Sequence, residues 1–75
     1  MPAAVPVPAP RVDPLRHPLH ALTTFELRAY RRQLENAIAF FDARHPVPPA
    51  RDDLQAKLDD VLAEQDDRAK LAARA

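Results

Sequence analysis

The chain has 75 residues, no cysteine, and eleven basic against eleven acidic side chains, for a formal net charge of zero. Disulfides and thiolate metal sites are thereby excluded, and no overall electrostatic pull toward nucleic acid, an anionic membrane or an acidic substrate is left. A chain this short makes one small domain at most, buries a low fraction of its surface, and commonly needs a partner to make up the deficit.

Residues 1–20 carry six prolines, Pro2, Pro6, Pro8, Pro10, Pro14 and Pro18. Their density predicts a Pro-rich disordered or extended arm that adds nothing to a core. Within it no two prolines stand in Pro-x-x-Pro spacing, so a ligand for a proline-binding groove is not expected. Proline also breaks every apolar run near the start, which does not read as a secretory leader, and no window nears the roughly 18 apolar residues of a membrane span. A cytoplasmic protein with no membrane partner is the expectation.

Residues 21–75 predict an all-α fold, an antiparallel two-helix hairpin of coiled-coil type. The first helix should run over about 24–44. Thr23 as N-cap and Glu26 as its N3 partner make a capping box, flanked by Leu22 and Leu27 as a hydrophobic staple. From there Leu27, Tyr30, Leu34, Ala37, Ile38 and Phe41 recur at steps of three and four, an apolar stripe along one face. The helix should stop at His45, because a residue before proline is pushed out of the α region.

Pro46, Pro48 and Pro49 place a turn at 45–48, since a proline inside a helix costs ~3 kcal/mol or more. The second helix should begin near Pro49 and run over about 49–73, with Asp52 and Asp53 at the positive end of its dipole. Its stripe is Leu54, Leu58, Val61, Leu62, Gln65, Ala69 and Ala72. Asp53 with Lys57, Glu64 with Arg68, and Asp66 with Lys70 are acid-first i,i+4 pairs on its surface.

Folding about Pro46 brings Ile38 near Leu54, Leu34 near Leu58, Tyr30 near Val61 and Leu62, and Leu27 near Gln65 and Ala69. The same register sets the basic cluster Arg28, Arg31 and Arg32 beside Asp59, Asp60, Glu64 and Asp66. Those acids should neutralise the arginines, which makes direct DNA binding by the first helix the weakest of the readings and a nucleic-acid partner unexpected. His17, His20 and His45 are too far apart to hold a metal, and paired acids such as Asp59 and Asp60 point about 100° apart around a helix. Neither catalysis, a metal nor a cofactor is expected.

What remains is interaction. A lone hairpin leaves part of each stripe uncovered, so Leu27, Tyr30, Leu34, Ile38 and Phe41 on the first helix, with Leu54, Leu58, Val61 and Leu62 on the second, are the candidate contact residues. Phe40 joins them, turned about 100° from Phe41 and thus off the stripe. Two hairpins closing into a four-helix bundle is the leading expectation, a non-enzymatic, self-associating module. The alternative is a regulatory subunit or inhibitor that docks the same face on a larger host protein, the transcription machinery among the candidates.

Overall fold

A computed structural model describes residues 10–74. A short 3-10 turn at Leu19–Ala21 leads into helix α1, Thr24–Asp42, and helix α2, Ala50–Arg74, packs against α1 as the second arm of a hairpin. The described residues contain no strand.

The start of α1 follows its sequence signal. Thr23 has extended backbone, the Glu26 N–H donates to Thr23 Oγ1 at 3.0 Å, and the Thr23 N–H donates to Glu26 Oε1 at 3.0 Å. Two backbone donors that a helix start would leave unpaired are thus satisfied reciprocally. The Thr23 backbone N–H, and after it the Thr23 hydroxyl, hold the Glu26 carboxyl below its ordinary pKa.

At its other end α1 stops two residues before the expected 44. The Arg44 N–H donates to the oxygen of Phe41 at 3.0 Å, a tight i→i−3 bond that closes the last turn ahead of Pro46. The His45–Pro46 peptide bond is cis. Helix α2 opens in similar fashion, Arg51 N–H to Pro48 oxygen and Asp52 N–H to Pro49 oxygen, both 3.1 Å, with Asp52 and Asp53 in its first turn. Across the turn the Arg51 Nε lies 2.8 Å from Asp42 Oδ1, tying the end of one helix to the start of the next.

Leu22, Leu27, Tyr30, Leu34 and Val61 form the buried cluster, with Leu27, Leu34 and Val61 sealed from solvent. Burying one such side chain is worth about 1.5–3 kcal/mol. Ala37 and Ile38 are buried as well. Val61 is the one buried residue of α2. Gln65 and Arg68 follow it at core spacing, so α2 offers a narrower apolar face than α1.

Three expectations need correction. Of the arm expected over residues 1–20, residues 1–9 lie outside the described residues, and residues 10–20 do not lie apart from the core: Val12 and Leu19 pack against it, beside the half-buried Leu54 and Leu58. Two helices touch along one line and leave the flank of Tyr30 open, and aliphatic arm side chains fill that flank at little entropic cost because the prolines already restrict the free chain. Leu62 is 38% exposed, since Val61 takes the central position and its neighbour is carried about 100° round the helix.

The opposed charge clusters do not pair. Arg31 bonds Glu35 on its own helix at 3.0 Å and Gln65 across the hairpin at 2.8 Å, and among the described residues neither Arg28 nor Arg32 joins an ion pair. Both lie about 120–160° around α1 from Leu34, off the line along which α2 packs. Of the three i,i+4 pairs on α2, Glu64 with Arg68 and Asp66 with Lys70 form, at 2.8 and 2.9 Å. Asp53 with Lys57 is not among the described ion pairs.

Candidate interaction surface

Of the ten contact residues read from the sequence, Leu27, Tyr30, Leu34, Ile38 and Val61 are buried, Leu54 and Leu58 half-buried. The centre of the stripe closes on itself inside one chain. Phe40 and Phe41 are half-buried and meet edge to face, centroids 5.6 Å apart at 77°. Arg44, one turn further on, lays its guanidinium 4.2 Å from the centre of the Phe40 ring. A cation over the ring face is attracted by the ring quadrupole, so α1's own end shields the aromatic side chain that helical geometry turns off the stripe.

The surface is organised instead around the arm. The Asp13 N–H donates to Gln33 Oε1 at 2.9 Å and Gln33 Nε2 donates back to Asp13 Oδ2 at 3.2 Å, a two-point clasp between arm and α1. Further along, Arg68 of α2 holds the approach to α1: its Nη2 donates to the backbone oxygens of Leu19 at 3.2 Å and Leu22 at 2.8 Å while its Nε pairs with Glu64. The fork of donors on a guanidinium suits this simultaneous grip.

Between these two fixings runs an open groove, its arm wall formed by Val12, Leu15 and Leu19, its hairpin wall by Tyr30 and Leu54, with Lys57 and Asp60 on the rim. Burial raises the Tyr30 hydroxyl above its ordinary pKa, and the charge of Asp60 adds to that shift. On the other side of the arm a second groove is bordered by Leu15, Leu22, Phe25 and Ala29. Phe25 stands 80% exposed there, the most exposed large apolar side chain among the described residues, and Leu71 near the end of α2 is 65% exposed.

Phe25 falls nine residues before Leu34, about 180° round α1 from the stripe, where the apolar pattern gives it no role. Nor does that pattern point to the contacts of Val12, Asp13, Gln33 and Arg68. Arg68 carried a signal: it falls seven residues after Val61, on the core line, where a charged side chain needs acceptors.

A polar cleft at the seam of the two helices gathers Arg28, Arg31 and Arg32 with Glu35, Asn36 and Gln65. Among the described residues no group of three or more His, Asp or Glu side chains could hold a metal ion, and no helix is long and apolar enough to cross a membrane. No family model, curated protein or solved structure matches the chain.

Proposed function

We propose that this chain is a non-enzymatic protein–protein interaction module that acts in the cytoplasm and associates with itself. One observation supports the reading: the apolar surface of the hairpin exceeds what two helices cover, since the arm packs Val12 and Leu19 against it and an open groove beside Tyr30 and Leu54 still remains. A module of this size stabilises itself by covering such a surface with more protein. Open grooves of this kind lack the enclosure that acid–base chemistry needs to tune its groups. Light scattering over a dilution series tests the reading. Twice the 8.4 kDa chain mass is expected at the concentrated end, and a constant single mass overturns self-association.

Docking on a larger host protein is the second reading, favoured by Phe25. An aromatic ring 80% exposed beside Leu15, Leu22 and Ala29 has the character of an interface anchor. A monomeric protein that recovers one host from its native cell, and loses it on Phe25→Ser, would support that reading over the first.

A further inference from the structure

The outer face of α1 joins the most exposed large apolar side chain to two arginines that enter no ion pair among the described residues. Counted from Leu34 at about 100° per residue, Phe25, Ala29, Arg32 and Asn36 fall within about 40° of the line opposite it, and Arg28 within about 60°. All five are exposed, Phe25 at 80%. The three carboxylates of α1 are engaged elsewhere: Glu26 in its capping box, Glu35 with Arg31, and Asp42 with Arg51. Arg28 and Arg32 are thus left as uncompensated cations at the mouth of the seam cleft, about one and two turns on from Phe25. We infer that this face docks an acidic amphipathic segment of another protein, an apolar side chain seating against Phe25 and Ala29 and carboxylates meeting Arg28 and Arg32. The inference rests on the host-docking reading and gives the host's contact its chemistry.

Composition and charge choose this occupant. Aromatic residues and Arg are enriched at the core of protein interfaces while Lys, Glu and Asp are depleted there, and the five residues of this face follow that pattern. Covering Arg28 and Arg32 with a purely apolar surface would strip two charges of water with no return, so the partner has to bring carboxylates. A second copy does not meet that need. A two-fold contact sets the same face against itself, which gathers four arginines and no acid. Nucleic acid gains little here, because its phosphate attraction grows with the number of charges neutralised; two arginines are free, and the chain's formal net charge is zero.

Selection from a displayed library of random peptides on the immobilised full-length chain tests this. Peptides of about sixteen residues are long enough, at 1.5 Å rise per residue, to cover the face. The recovered peptides should carry Asp or Glu around a large apolar residue. Binding of the strongest, measured by fluorescence anisotropy, should weaken about tenfold with Phe25→Ser and about tenfold with either Arg28→Glu or Arg32→Glu. Added salt should weaken it further. Changing the acids of that peptide to lysine should restore binding to the chain that carries both arginine substitutions. All three positions are exposed, and far-UV helicity confirms that the variants fold. Peptides that need Phe25 but show no acidic preference and ignore the arginine substitutions overturn the acidic partner and leave host docking standing. A selection in which no peptide depends on Phe25 overturns both. An oligodeoxythymidine probe that binds more tightly than every selected peptide, and is lost with the arginine substitutions, overturns the inference in favour of nucleic acid.

Discussion

Arg68 Nη2 donates a 2.8 Å hydrogen bond to the backbone oxygen of Leu22, so the second helix grips the chain at the point where it enters the first. The same nitrogen reaches the Leu19 oxygen, and both bonds are part-buried. Losing a charged donor leaves acceptors short of a partner, at about 1–3 kcal/mol. Arg68→Met, which keeps most of the stem and removes the fork, is therefore expected to lower the urea midpoint. Arg68→Lys should recover less than half of the loss, because an ammonium does not present the same planar set of donors.

Leu34 and Leu62 separate the packed core from its edge. Leu34 is fully buried and Leu62 is 38% exposed, although both fall in the apolar pattern of their helices. Leu34→Ala should cost about 2–5 kcal/mol, enough to unfold a domain of this size. Leu62→Ala should cost under about 1 kcal/mol, in the range of ordinary surface changes. Chemical denaturation of the two variants measures both, and equal losses would mean that the hairpin packs in another register.

The hairpin could be read from the sequence because its determinants are local. Thr23 and Glu26 are three residues apart, and the break between the helices needs only Pro46, Pro48 and Pro49. The seating of residues 10–20 is not legible in the sequence because its contacts are not local: Asp13 meets Gln33 twenty residues on, and Arg68 meets Leu19 across forty-nine. The i,i+4 spacing to Glu64 already accounts for Arg68 in the sequence, and that pair does form. The charge clusters misled for a different reason. Arg28, Arg31 and Arg32 share one face of α1, but at about 100° per residue that face is turned from the core line, with Arg31 about 60°, Arg28 about 120° and Arg32 about 160° from Leu34.

Phe25 should behave as surface in the isolated chain. Its ring is 80% exposed, so Phe25→Ser is expected to change the free energy of unfolding by no more than about 0.5 kcal/mol. Thermal and urea denaturation at low concentration check this. A large loss at low concentration would show that the ring is covered within one chain, whereas a loss confined to high concentration would place it in the self-contact.

Acid should weaken the start of α1 through Glu26. The carboxyl has its folded-state pKa lowered from 4.5 by the Thr23 backbone N–H and then the Thr23 hydroxyl. A lowered folded pKa means that the unfolded chain takes up the proton first. The stabilising contribution of Glu26 is therefore complete above about pH 4.5 and is lost as pH falls through the folded value. Glu26→Gln keeps an Oε1 acceptor for the Thr23 N–H and removes the titration. Its stability should fall less steeply below pH 4.5 than that of the natural chain, with the two curves converging in acid. Unfolding midpoints measured from pH 7 to pH 3 give both slopes. Identical slopes would mean that the capping box is not closed by a charged Glu26 in solution.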